Sequence, residues 1–166
     1  MSNHRPVEWL SWGSLMVLMV ATPATADPPV GGAPAAAPSA QWPMFRGNEQ
    51  LTGVAVGRLP DRLAVRWKFE TQEPFSSSAA VVDDTVYVGC DDGRLYALDL
   101  RQGKPKWQYE AEGPVQSSPL VFDRTVFFGD DEGVMHAVDT RTGKRRWTFR
   151  TDGPIIPSAN RAGGRI

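Results

Sequence analysis

Cys90, His136, two acidic turns (Asp91-Asp92-Gly93 and Asp131-Glu132-Gly133) and two serine runs (Ser76-Ser77-Ser78 and Ser117-Ser118) are the residues of this chain with obvious chemical potential. A lone cysteine could act as a thiolate nucleophile, but only in surroundings that lower its pKa. Cys90 lies at the end of an apolar segment, and the residue 40 positions later is Asp130. A tolerated strand-end substitution is the simpler reading. His136 stands where Tyr96 stands 40 residues earlier, with no second ligand at zinc-motif spacing, so packing outweighs metal binding. Clustered carboxylates suit a hard cation, yet neither acidic turn continues into the D-x-[DN]-x-[DN]-G loop of an EF-hand. Acidic residues before glycine are ordinary hairpin chemistry. The serines have no histidine at matching positions, which argues against a hydrolytic triad. Lys104, Lys106, Arg141, Lys144, Arg145 and Arg146 could bind an anion, but acidic neighbours offset them and they read as a solvated strand edge.

The overall charge narrows the function further. Eighteen Lys and Arg against nineteen Asp and Glu give a net charge of −1. A nucleic-acid or anionic-membrane binder needs a basic surplus to neutralise phosphates, so neither partner is expected. A single cysteine excludes an internal disulfide.

These residues must be positioned by a repeat. Trp67, Trp107 and Trp147 are spaced by 40, as are Pro74, Pro114 and Pro154. Aligning 65–104 with 105–144 gives 17 identities in 40 positions, spread over the whole unit without an insertion. Within the first copy, 79–82, 85–90, 94–99 and 104–110 read as short strands broken by Asp-Asp, Asp-Asp-Gly and Leu-Arg-Gln-Gly turns. Four strands in about 40 residues make one propeller blade. A helical repeat does not fit, because the segments are β-branched and aromatic and turns recur every few residues. The predicted fold is therefore all-β, a β-propeller with blades at 79–110 and 119–150.

The most informative pattern is Ala97-x-Asp99-x-x-x-Gly103-x-x-x-Trp107, repeated as Ala137, Asp139, Gly143 and Trp147. The aspartate can accept hydrogen bonds from turn amides, the glycine permits positive φ, and the indole can pack flat on a neighbouring blade. This pattern resembles the tryptophan-docking motif of the pyrroloquinoline quinone (PQQ)-like repeat, found in quinoprotein dehydrogenases and BamB-type outer-membrane assembly factors. The resemblance covers 64–166, and Gln41-Trp42-Pro43-Met44-Phe45-Arg46-Gly47-Asn48 with Leu51-Thr52-Gly53 is similar to the lead-in of exported members. WD40 and kelch repeats fit less well in motif and period.

The N-terminus reads as an export signal over 1–26: His4 and Arg5, an apolar run from Trp9 to Ala21, then Ala24-Thr25-Ala26 before a cleavage site. A run of 13 residues falls short of the roughly 20 that a spanning helix needs. Residues 27–40 read as a Pro/Ala-rich linker and 41–63 as a lead-in. No cysteine follows the signal for lipidation. Trp67 belongs to a fourth strand with no first three strands ahead of it. The resemblance implies that such a strand completes the last blade of a ring. Ile166 aligns with Val86 and Val126, inside the second strand of a third repeat. The expectation is a truncated N-terminal portion, with self-association open if this is the native product.

For function, the resemblance implies a periplasmic or secreted scaffold, non-catalytic and similar to BamB-type factors, that holds envelope proteins through its loops. The alternatives are a quinoprotein oxidoreductase, which would require PQQ and calcium, and a ligand-binding sensor ectodomain. No catalytic, cofactor or metal residue can be carried over to this chain.

Overall fold

A computed structural model of the protein describes residues 15–19, 41–55, 57 and 61–166. The proposed cleavage site after Ala26 and the linker 27–40 lie outside the described residues. The described residues form ten strands: β1 (Leu15–Met19), β2 (Val65–Glu70), β3 (Ala80–Val82), β4 (Thr85–Cys90), β5 (Arg94–Asp99), β6 (Pro105–Glu110), β7 (Leu120–Phe122), β8 (Thr125–Gly129), β9 (Val134–Asp139) and β10 (Arg145–Arg150). Among the described residues there is no helix.

Two antiparallel four-stranded meanders dominate, β3-β4-β5-β6 and β7-β8-β9-β10, each one copy of the 40-residue unit. They are propeller blades. Short turns force the meander: Asp123 and Arg124 between β7 and β8 both have positive φ, which suits the right-handed twist of the flanking strands. At the next turn Gly93 and Gly133 sit at φ +81 and +78. The middle strands are the apolar ones. All six residues of β4 and all five of β8 are buried, whereas β6 alternates between exposed and half-buried. Central strands covered on both faces account for the near-continuous TVYVGC and TVFFG runs.

The two sheets lie side by side around a shared core. Tyr87, Leu95 and Ala97 of the first blade pack with Val121, Val126, Phe128 and Val138 of the second. Strand-to-strand approach between the blades occurs at their first strands, β3 and β7. The sheets therefore converge at that edge and splay apart towards β6 and β10, the geometry of neighbouring blades around an axis. The Trp67 strand, β2, joins neither hydrogen-bonded meander but pairs antiparallel with β1, with Leu15 opposite Glu70, while Trp67 packs against Val86, Val88 and Leu98 of the first blade.

Candidate functional site

The repeated docking motif forms the seams between units. In the first blade the Asp99 carboxylate accepts from the amides of Arg101 and Gln102 at 2.9 and 2.8 Å, and Asp139 accepts from Arg141 and Thr142 at 3.1 and 2.9 Å. These bonds fold the turn so that Gly103 and Gly143, at φ +70 and +67, present bare backbone. An indole lies on each glycine. Trp67 covers Gly103 and Trp107 covers Gly143, where a Cβ would lie 2.8 Å from the ring. The edge of each indole is also satisfied: Trp67 Nε1 donates to the Leu100 carbonyl and Trp107 Nε1 to that of Thr140, both at 2.9 Å. Ala97 and Ala137 lie opposite Trp107 and Trp147 across the strand pair and are fully buried, leaving room for the rings. Trp147, in the equivalent place, is 46% exposed, and Phe149 beside it is 64% exposed.

The basic cluster divides into two groups. The strand register slips between Trp107 and Pro105, and again between Trp147 and Arg145, so Lys106 and Arg146 sit on bulges. A bulge re-aims its side chain. Lys106 thereby donates to the Asp84 carbonyl at 2.7 Å and Thr85 Oγ1 at 2.8 Å, and Arg146 donates to Asp139 at 2.8 Å. Arg146 and the turn donors hold the Asp139 carboxyl well below the usual carboxylate range. The Gln102 amide leads the same effect, to a smaller extent, at Asp99. Lys104, Arg141, Lys144 and Arg145 are exposed.

The serines act as stitches. Ser77 Oγ bridges the N–H and C=O of Gly89 at 2.8 and 3.0 Å, and Ser117 does the same for Gly129 at 2.7 and 2.8 Å. One position further on, the Ser78 amide donates to Ser118 Oγ at 3.0 Å, and the Ser118 amide to Ser158 Oγ at 3.2 Å. That ladder links three successive repeats. Its signal in the sequence was the 40-residue interval of Ser78, Ser118 and Ser158, which becomes visible only when the run is read across copies.

A second feature escaped residue-by-residue reading. His136 is 1% exposed, stacks on Phe128, and binds Asp130 Oδ2 through Nε2 at 2.9 Å and the Tyr109 hydroxyl through Nδ1 at 3.0 Å. Asp130 is fully buried and also accepts from the amides of Val134 at 2.8 Å and Glu112 at 3.1 Å. The chain Asp130-His136-Tyr109 therefore crosses from the second blade to the first. These three side chains satisfy one another, with His136 and Asp130 shut off from solvent, which makes a structural tie between the blades. In the first repeat Cys90 and Tyr96 replace the pair. Burial pushes the Cys90 thiol up, and its sulfur lies 3.4 Å from the Pro74 carbonyl. Tyr96 donates instead to Asp92, and burial together with that carboxylate raises its phenol to about 12.

Among the described residues, no three His, Cys, Asp or Glu side chains converge as a possible metal-ligand set. Asp91 and Asp131 stand at the same place in successive blades, with Asp91 accepting from Ser76 at 2.8 Å.

Comparison with known proteins places these observations in a family. The family model for the outer membrane protein assembly factor BamB matches residues 60–164. Comparison with curated proteins returns no match. Among solved structures, BamB from Moraxella catarrhalis is similar at 36% identity and a TM-score of 0.48, over 52% of this chain and 27% of that one. A europium-containing methanol dehydrogenase aligns at 22% identity and a TM-score of 0.48, over 55% of this chain and 20% of that one. A quinohemoprotein alcohol dehydrogenase from Pseudomonas putida aligns at 27% identity with the same score, over 52% of this chain and 16% of that one. The chain thus spans about a quarter or less of the length of each.

Proposed function

The chain belongs to the BamB-type family of PQQ-like repeat propellers, and from that premise we propose that it is a non-catalytic scaffold of the bacterial envelope that holds partner proteins through its blade loops and edges. The observation that carries the reading is the family match across 60–164, which spans both blades. The internal chemistry supports it. The strongest polar constellation, Asp130-His136-Tyr109, is buried and spent on joining blades. The motif aspartates, Asp99 and Asp139, are spent on building turns. Exposed apolar side chains such as Trp147 and Phe149 offer a surface suited to protein contact.

Export completes the proposal. Residues 1–26 would direct the chain out of the cytoplasm, and cleavage after Ala26 would take β1 with the signal and leave the edge of β2 open for another strand. The linker 27–40 would tether the propeller, and the partners would be envelope proteins such as outer-membrane assembly components. Among the described residues, no helix is long and apolar enough to cross a membrane.

The test is crosslinking of the full-length protein in envelope fractions, followed by identification of what it captures. Recovery of outer-membrane assembly proteins supports the scaffold; their consistent absence counts against it. The competing oxidoreductase is tested in parallel by adding PQQ and calcium and following reduction of an electron-accepting dye with alcohol or sugar substrates. Turnover there would replace the scaffold reading.

A further inference from the structure

Residues 41–53 have no counterpart inside the repeats, yet they are built tightly. The Gly47 amide donates to Met44, Leu51 to Asn48 and Gly53 to Arg46, each at 2.9 Å. The Asn48 side chain closes on Thr52 from both sides. Gly47 (φ +84) lies so close under the Trp42 ring that a Cβ there would sit 2.8 Å from it, so the turn and the indole fix each other.

This knot is attached to one register position of three successive repeats. Trp42 exchanges both backbone hydrogen bonds with Val81 of β3, each at 2.7 Å. The Pro43 carbonyl accepts from the Val121 amide of β7, also at 2.7 Å. Glu49 pairs with Arg161 at 3.0 Å and accepts through its carbonyl from Asn160 at 3.3 Å. Arg161 stacks over Phe122 at 3.9 Å from the ring centroid. Val81, Val121 and Arg161 are 40 residues apart, the same place in each repeat. The apolar anchor is Met44, 3% exposed, packed with Leu120, Phe127 and Ala137.

β3 and β7 are the strands at which the two blades converge. In a propeller the free edges of those first strands face the central channel, and unpaired edges there must be covered or solvated. We propose that residues 41–53 form an axial clasp: the segment lies in the channel, takes up the main-chain groups at Val81 and Val121, and pins adjacent blades at a common height. Those positions are then closed to any channel ligand that would bind along the inner edges. The inference does not rest on the scaffold reading, since a clasp of this kind is compatible with any activity carried by the loops.

Hydrogen exchange on the full chain tests it, resolved at the amides of Val81 and Val121, with Val86 and Leu98 in the central strands as internal reference. Met44→Ala removes the anchor. Exchange at Val81 and Val121 should then accelerate at least about tenfold, while Val86 and Leu98 stay within about twofold of wild type. Equal exchange at Val81 and Val121 with and without the Met44 anchor would overturn the clasp. So would acceleration spread uniformly over all four amides, which would make Met44 an ordinary core residue.

Discussion

Gly143→Ala is the sharpest probe of how the blades are joined. The substitution acts twice. Gly143 has φ +67, where an L side chain costs about 1–2 kcal/mol. Its new Cβ would also lie 2.8 Å from Cδ2 and 2.9 Å from Cε3 of Trp107, both in a ring that is held at its other edge by the bond to Thr140. Because the indole cannot slide without breaking that bond, overpacking adds about 1–3 kcal/mol. The single change should therefore cost about 2–5 kcal/mol. Trp107→Ala, which removes the ring and its hydrogen bond, should cost about 3–4 kcal/mol. The double variant decides the matter, since with the indole gone the alanine methyl meets open space and only the backbone term remains. The coupling between the two sites should be about 1–3 kcal/mol, the double variant being more stable than the sum of the singles predicts. Gly163→Ala serves as control: φ is +56 but nothing lies within 4 Å, so only the backbone term applies. Urea unfolding followed by far-ultraviolet circular dichroism measures all four chains. Additivity of the two singles within about 0.5 kcal/mol would refute the view that steric fit between ring and glycine sets the seam.

Three further outcomes follow from the same geometry. His136→Phe should destabilise by about 3–5 kcal/mol, because it strands a buried Asp130 carboxylate and the Tyr109 hydroxyl; the repeat-swapped double variant Asp130→Cys with His136→Tyr should be less destabilised than His136→Phe in the same urea assay. Asp139, depressed mainly by Arg146, and Asp99, depressed mainly by the Gln102 amide, have folded-state pKa values below their unfolded ones. Their contribution is then complete above about pH 4 and lost as pH falls through the folded values, so Asp139→Asn should flatten the acid limb of a stability–pH profile. Tyr96 is the opposite case: its phenol, raised to about 12, favours the fold fully below about pH 10 and loses that contribution as pH rises towards 12. A phenolate absorbance titration should show its late ionisation, and Tyr96→Phe should remove that part of the alkaline transition.

Much of this protein could be read directly from the chain. The 40-residue interval, the turn residues and the alternation of apolar segments determined the all-β repeat and the strand positions, because hairpin turns and β-strand packing are local or one repeat long. The docking motif belonged to the same class: an aspartate, a glycine and a tryptophan at fixed spacing have few ways to pack. What tertiary structure alone decided is how copies differ and how the non-repeating part is used. Cys90 and Asp130, or Tyr96 and His136, look like independent tolerated substitutions in the alignment. Only the fold brings Asp130, His136 and Tyr109 within hydrogen-bond reach across a blade boundary, so that each choice requires the others. Lys106 and Arg146 read as solvated charges until a bulge turns Lys106 onto the Asp84 carbonyl and Thr85 hydroxyl and Arg146 onto the motif aspartate Asp139. The lead-in 41–53 carried no period at all, and its role depended on β3 and β7 presenting their edges side by side. Sequence periodicity records the interactions each unit makes with its own neighbours in the chain; contacts that exist once, between residues far apart, leave no repeat to read.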